Sequence, residues 1–226
     1  HGKEWRRLRW GYYRLLEKVD ALIGKVLAGL RASGHAQDTL VVFTSDHGEC
    51  LGAHRWNQKT VFYDESARVP LIMRFPGRTK RGSSDRLVQT GVDMLPTLCD
   101  FAGMPVPADL PGRSLRGLAR GNSPGEWRDY VVVSNKMIQG EPVDGKTWEP
   151  AGRMVRSGRY KYCVYSMGSS RESLVDMVED PGEMVNQADN PDFRPILRRH
   201  RRCLREHASR HGDALALKML ERVPNA

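Results

Sequence analysis

Residues 39–77 read TLVVFTSDHGECLGAHRWNQKTVFYDESARVPLIMRFPG, and an apolar run near the start of this segment stops abruptly at polar residues. Leu40–Phe43 is wholly apolar, as is typical of a strand buried in a parallel sheet, and Thr44–Gly48 follows it directly. Open α/β sheets hold ligands just beyond the carboxyl ends of their strands. The sequence therefore predicts that Asp46 and His47 lie where a metal ion or an anion would be held.

Three side chains of this segment suit the chemistry of such a site. Asp46 offers a hard carboxylate oxygen of the kind that Ca²⁺ and Mg²⁺ prefer. His47 can bind the metal directly or donate a hydrogen bond to a bound ester, and Lys59, 13 residues after Asp46, can neutralise an anion there. The alternatives are structural: Asp46 can bond nearby backbone N–H groups in an Asx-type turn, and Lys59 can be an ordinary surface lysine.

Several further motifs follow in a fixed order along the chain. They are S-D-H-G-x-x-L-G-x-H at 45–54, F-Y-D-E-S-A-R-V-P-L-I at 62–72, V-D-x-x-P-T at 92–97, G-R-S-L at 112–115, G-R-Y-K-Y at 158–162, D-P-G-E at 180–183, and Asn186. In this order they resemble the C-terminal half of a sulfatase, a formylglycine-dependent enzyme of the alkaline-phosphatase-like superfamily of metal-dependent ester hydrolases.

The resemblance implies a sulfuric ester hydrolase. It implies that Asp46 and His47 belong to a divalent-cation site, usually calcium, and that Lys59 contacts the sulfate. In that family a formylglycine made from Cys or Ser in a C/S-x-P-x-R signature attacks sulfur, and no such signature occurs here. We therefore expect a fragment that lacks the nucleophile-bearing N-terminal half, where the formylglycine would lie, and that is inactive alone. The substrate would be a sulfate ester, either a sulfated glycan or an aryl sulfate.

Two other functions stay open. A phosphonate monoester hydrolase or phosphodiesterase of the same superfamily would carry a very similar S-D-H-G and trailing lysine, with Mg²⁺ or Mn²⁺ as the metal. A non-catalytic module that binds polyanions is the second, because the chain carries a net charge of +9 and many of its arginines lie between 194 and 210. These arginines can equally form the solvated side of an amphipathic helix.

The composition of the chain argues against two classes of binding partner. No aromatic residues are interleaved with the arginines to stack on bases, so a nucleic acid partner is not expected. No apolar run approaches the length that spans a bilayer, so a membrane partner is not expected either. The four cysteines include no C-x-x-C pair and predict neither a metal knuckle nor a disulfide framework. Compartment and oligomeric state stay undetermined.

The predicted fold class is α/β: part of an alkaline-phosphatase-like α/β sandwich, then a small antiparallel sheet with a covering helix. Apolar periodicity and turn residues predict the individual elements. They are helices at 8–33, at 93–102 with Asp93 as N-cap, and from an Asp192 N-cap onward, and strands at 40–44, 69–75, 130–134, 154–156, 159–165 and 174–177. A shift in composition at 120–125 predicts two domains, residues 1–125 of the catalytic α/β domain and residues 126–226 as a C-terminal α+β subdomain.

Overall fold

The structure, a computed structural model, describes residues 2–122, 125–136, 142 and 144–223. The chain divides into two compact units. The first unit comprises residues 1–59, 64–85 and 89–125, and the second comprises 60–63, 86–88 and 126–226. In the described part of the chain, no helix is long and apolar enough to cross a membrane.

The first unit is built from helices and one pair of strands. Its elements are α1 (Gly2–Ala32), β1 (Val41–Thr44), α2 (Asp64–Ala67), β2 (Leu71–Arg74), α3 (Thr90–Ala102) and α4 (Arg116–Ala119). The long first helix carries the predicted apolar stripe, but none of its described residues is buried, and Leu22 and Val26 are exposed.

The two strands of the first unit pair with each other. β1 runs antiparallel to β2, with Val42 opposite Met73 and Phe43 opposite Ile72. The parallel pairing predicted for the apolar run is therefore absent among the described residues. The side chains of β1 are half-buried or exposed because a two-stranded pair cannot cover both of its own faces.

Two of the sequence motifs pack directly on each other in the first unit. Asp93 of α3 is fully buried and accepts hydrogen bonds from the backbone N–H groups of Gln89 and Arg113. Thr97 Oγ1, one turn later, accepts from Leu115 N at 2.9 Å. The predicted N-cap role of Asp93 is wrong: α3 begins at Thr90 after Gln89, and Asp93 instead holds the G-R-S-L turn against the helix. Gly103 ends α3 in the left-handed conformation.

The second unit contains a four-stranded antiparallel sheet covered by helices, which confirms the predicted fold class. The strands lie in the order β3 (Tyr130–Lys136), β4 (Ala151–Ser157), β5 (Tyr160–Tyr165) and β6 (Glu172–Asp176), and the helices are α5 (Arg194–His211) and α6 (Ala214–Glu221). Apolar side chains of the sheet and both helices form one core, including Val155, Tyr162, Leu174, Leu197, Leu204, Met219 and Leu220. The sequence predicted one covering helix, and the structure adds α6.

The start of α5 differs from the prediction. Asn190, not Asp192, caps the segment: its side chain accepts a hydrogen bond from Asp192 N, and one 3₁₀ turn (Pro191–Phe193) precedes the α-helix. Pro195 lies in the first turn of α5, where its missing N–H costs nothing. Within α5, His200 is buried and its ring bonds Ser157 Oγ and the Ile196 carbonyl oxygen, which ties the helix to the β4–β5 hairpin.

Candidate active site at the tip of β1

Asp46 lies just beyond the end of β1, as the sequence predicted. Its Oδ1 accepts hydrogen bonds from the backbone N–H of His47 at 3.0 Å and from Ser45 Oγ at 3.2 Å. The bond from His47 N–H lowers the pKa of Asp46 below its ordinary value. The side chain is nevertheless 83% exposed, so the carboxylate is anionic at neutral pH and open to a ligand.

The hydrogen bond of the His47 ring determines which nitrogen faces Asp46. Nδ1 lies 2.8 Å from the carbonyl oxygen of Gly48. A carbonyl only accepts, so Nδ1 carries the hydrogen, and in the neutral ring Nε2 keeps a lone pair. Nε2 lies 3.4 Å from Asp46 Oδ2. Nε2 and Oδ2 are thus the two side-chain atoms that face each other at the strand tip.

Gly48 allows two segments of the chain to cross at this point. Its backbone N–H donates to the Ser66 carbonyl at 2.8 Å. A Cβ on Gly48 would lie only 1.9 Å from the carbonyl oxygen of Glu65. Only glycine therefore fits between the strand tip and α2, which explains why the D-E-S-A segment belongs to the same local structure as S-D-H-G.

The loop from Leu51 to Thr60 carries unusual backbone conformations. Five of its non-glycine residues have positive φ: Leu51, His54, Arg55, Gln58 and Thr60. Such conformations cost free energy and persist only where the surroundings impose them. His54 Nε2 lies 3.5 Å from Glu65 Oε2, a contact that links this loop to α2. Apart from Gly52, no residue of the loop indicated this strain in advance, because φ at the other residues depends on contacts that are distant in the sequence.

Lys59 lies in this loop, between two residues with positive φ, Gln58 (φ 73°) and Thr60 (φ 81°). Its carbonyl oxygen accepts from Trp56 Nε1 at 3.2 Å, and the Gln58 carbonyl accepts from Cys50 N at 3.1 Å. Its side chain is exposed. The structure thus brings Asp46 and His47 together, whereas no hydrogen bond or ion pair joins Lys59 to them among the described residues. The roles of all three residues stay predictions.

The arginines of α5 differ in their surroundings. Arg201 pairs with Glu172 of β6, and both side chains are largely buried. The remaining arginines of the run have exposed side chains: Arg194, Arg198, Arg199, Arg202, Arg205 and Arg210. At 3.6 residues per turn, Arg194, Arg198, Arg202 and Arg205 follow one side of the helix over about 16 Å. This row of guanidinium groups is called the arginine row below.

The strand tip, the crossing at Gly48 and the antiparallel subdomain together define the C-terminal part of an alkaline-phosphatase-like fold, and comparison with known proteins confirms it. Residues 52–210 match the family described as N-sulphoglucosamine sulphohydrolase, C-terminal. This match covers more than half of the chain, so the chain belongs to that family of sulfatases. The resemblance inferred from the sequence motifs is therefore confirmed.

Three relatives illustrate the extent of the similarity. A Delta 4,5-hexuronate-2-O-sulfatase of Bacteroides thetaiotaomicron is 39% identical over 198 residues, which cover 86% of this chain and 40% of that protein. The solved structure of a 2-O GAG sulfatase is similar with a TM-score of 0.78 at 37% identity, covering 86% of this chain and 41% of the other. A phosphonate monoester hydrolase from Silicibacter pomeroyi is similar with a TM-score of 0.72 at 32% identity, covering 85% and 39%. The chain thus spans about 40% of the length of these relatives.

Proposed function

We propose that the whole protein hydrolyses sulfate esters and that residues 1–125 form the C-terminal portion of its catalytic α/β domain, with residues 126–226 as a C-terminal α+β subdomain. One observation carries the proposal beyond family membership. His47 Nε2 and an oxygen of Asp46 lie 3.4 Å apart on an exposed strand tip. A carboxylate oxygen and an imidazole nitrogen can both bind a cation, and a bound cation would hold the negative oxygens of a sulfate ester during its hydrolysis.

The carboxylate of Asp46 fits Ca²⁺ as part of a larger shell, because calcium takes six to eight oxygen ligands. His47 would contribute a nitrogen donor beside it. Within the described residues no cluster of three or more His, Cys, Asp or Glu side chains could hold a metal. Asp46 and His47 therefore supply only part of the coordination shell. When bound, the ion would contribute positive charge that polarises the sulfate.

Lys59 would add a second positive charge. Its exposed ammonium is a compact donor suited to the sulfate oxygens and to charge that develops as the ester bond breaks. The nucleophile would come from elsewhere in the whole protein, because the sequence contains no C/S-x-P-x-R. By family resemblance we expect a formylglycine, and we expect residues 1–226 alone to be inactive.

The substrate class that we propose is a sulfate ester on an acidic glycan. The hexuronate-2-O-sulfatase and the 2-O GAG sulfatase both carry such a substrate in their names. The excess of basic residues in this chain, 36 Lys and Arg against 27 Asp and Glu, is consistent with an anionic polymer as partner. An aryl sulfate would then serve as a convenient but small substitute in assays.

The second candidate function is phosphonate monoester hydrolysis with Mg²⁺ or Mn²⁺, and the similarity to the Silicibacter pomeroyi enzyme supports it. One experiment separates the two. The whole protein is assayed side by side on an aryl sulfate and an aryl phosphonate monoester, with Lys59→Ala as the inactive control. We expect the sulfate ester to be cleaved faster by at least tenfold. Cleavage of the phosphorus ester alone would overturn the sulfatase proposal.

A further inference from the structure

The four residues that follow Lys59 belong to the second unit. Residues 60–63 pack with the β-sheet there, and the Phe62 side chain is only 3% exposed. Its ring lies 6.1 Å from that of Tyr165 of β5. It also fills the space beside Gly152 of β4, where a Cβ would lie 2.5 Å from a ring atom of Phe62. The surface of the sheet beside Gly152 and Tyr165 therefore accommodates the Phe62 ring.

A buried ion pair holds the backbone of the same residue. Lys161 Nζ donates to the Phe62 carbonyl oxygen at 2.8 Å and lies 2.8 Å from Glu183 Oε1. The side chains of Lys161 and Glu183 are only 2% and 3% exposed. Desolvating two charges is costly, and well-packed apolar residues would often stabilise a fold as well or better. Stability alone therefore gives little reason for placing charges here.

The pair accounts for two motifs that the proposed reaction leaves unexplained. G-R-Y-K-Y at 158–162 supplies Lys161, and D-P-G-E at 180–183 supplies Glu183. The first lies on β5, and the second lies in the loop after β6. The two motifs meet at Lys161 Nζ, which pairs with Glu183 and donates to the carbonyl of Phe62, three residues after Lys59.

The backbone between Lys59 and Phe62 needs such an anchor. Thr60 has φ 81°, and a positive φ at a β-branched residue is a true outlier that neighbouring contacts must impose. On the other side of Lys59, the bonds Cys50 N to Gln58 O and Trp56 Nε1 to Lys59 O hold the chain. After Lys59, the bond from Lys161 holds the Phe62 carbonyl. Hydrogen bonds thus hold the backbone before and after Lys59.

We propose that Lys161 and Glu183 are positioning residues for Lys59: they fix the Phe62 carbonyl and so maintain the strained backbone that aims the lysine. This inference rests on the proposed role of Lys59 at the sulfate. Neither residue touches the substrate. Because small displacements of a catalytic group lower rates steeply, loss of the anchor lowers kcat more than it raises KM.

The test uses three variants of the whole protein. Lys161→Met removes the donor to the Phe62 carbonyl and breaks the buried ion pair with Glu183. Lys161→Met/Glu183→Met removes both charges, which restores much of the stability while the Phe62 carbonyl still lacks its donor. Arg201→Met is the matched control, because it breaks the other buried ion pair described above, between α5 and β6. Each is measured for thermal midpoint, for kcat and KM on an aryl sulfate, and for amide hydrogen exchange of peptides covering residues 58–64.

We expect both Lys161 variants to lose about 10- to 100-fold in kcat and to exchange faster at residues 60–63. Arg201→Met should keep its kcat within about twofold at a comparable loss of thermal midpoint. The proposal is overturned if the double variant has wild-type kcat and unchanged exchange, or if Arg201→Met loses as much activity as Lys161→Met. If the wild-type protein cleaves no ester, the proposed function fails instead, and hydrogen exchange at 60–63 alone then supports or overturns the anchoring.

Discussion

Replacement of Gly48 by Ala tests the crossing that builds the candidate site. The new Cβ would lie 1.9 Å from Glu65 O and 2.9 Å from Glu65 C, and both are backbone atoms that cannot rotate away. A relaxed contact of carbon with a carbonyl oxygen is about 3.3 Å, so the two segments must separate by about 1.4 Å. That movement stretches the 2.8 Å bond from Gly48 N to Ser66 O beyond hydrogen-bond range.

The expected cost follows from these two effects. Overpacking of a close contact costs about 1–3 kcal/mol, and a lost backbone hydrogen bond costs about 1 kcal/mol more. We therefore expect Gly48→Ala to lower the free energy of unfolding of the first unit by about 2–4 kcal/mol. Urea unfolding followed by tryptophan fluorescence measures it, since Trp5 and Trp56 lie in the same unit.

The control is Gly91→Ala in the first turn of α3. A Cβ on Gly91 meets no heavy atom within 4 Å among the described residues, and Ala favours a helix over Gly by about 1 kcal/mol. This variant should therefore be neutral or slightly more stable. A Gly48→Ala protein that unfolds at the same urea concentration as Gly91→Ala would refute the argument that the crossing requires glycine.

Three more outcomes follow from the structure. Asp46→Asn should weaken Ca²⁺ binding to the whole protein by at least about tenfold in calorimetry. The control Asp38→Asn, at an exposed carboxylate paired with Arg78, should leave Ca²⁺ binding unchanged. Equal Ca²⁺ affinities of the two variants would show that Asp46 is not a metal ligand. Replacing Arg198, Arg202 and Arg205 of the arginine row by Ser should lower the salt needed to elute the protein from heparin, while Lys59→Ala leaves it unchanged; unaltered retention of the triple variant would dismiss the polyanion surface. Hydrogen bonds from Arg153 lower the pKa of Asp213 below its ordinary value of 3.8. The ionised Asp213 therefore stabilises the folded protein above that pH, and this stabilisation is lost as the pH falls through the folded-state pKa. The stability gap between wild type and Asp213→Asn should therefore be about 1–3 kcal/mol at pH 7 and should close in acid; a constant gap from pH 7 to pH 2 would contradict this account.

Within the described residues, local patterns in the chain predicted the six strands and the three longest helices, α1, α3 and α5. The stripe of α1, the strand candidates of the sheet and the left-handed Gly103 all follow from periodicity and turn chemistry within a few residues. The hairpin around Ser157 and Gly158 is of the same kind. These features depend on interactions between residues that are close in the sequence, and a local sequence pattern is enough to predict them.

One error is local, because Asn190 rather than Asp192 caps the segment before α5. The other errors concern residues whose partners are distant in the sequence. Asp93 is a residue type that often caps helices. In the structure its side chain instead accepts a hydrogen bond from the backbone N–H of Arg113, 20 residues later. The exposure of α1 and β1 was equally unpredictable, since an apolar stripe shows that a face can be covered but not what covers it.

For the candidate site, the order of residues along the chain was enough to nominate Asp46, His47 and Lys59 and to recognise the sulfatase family. What the linear sequence could not show is that Glu65 leaves room only for glycine at position 48, or that Lys161 reaches the Phe62 carbonyl across 99 residues. Those contacts arise only after the sheet, the helices and the strained loop have packed. Their geometry depends on the summed burial and hydrogen bonding of the whole unit, and no short motif encodes that sum.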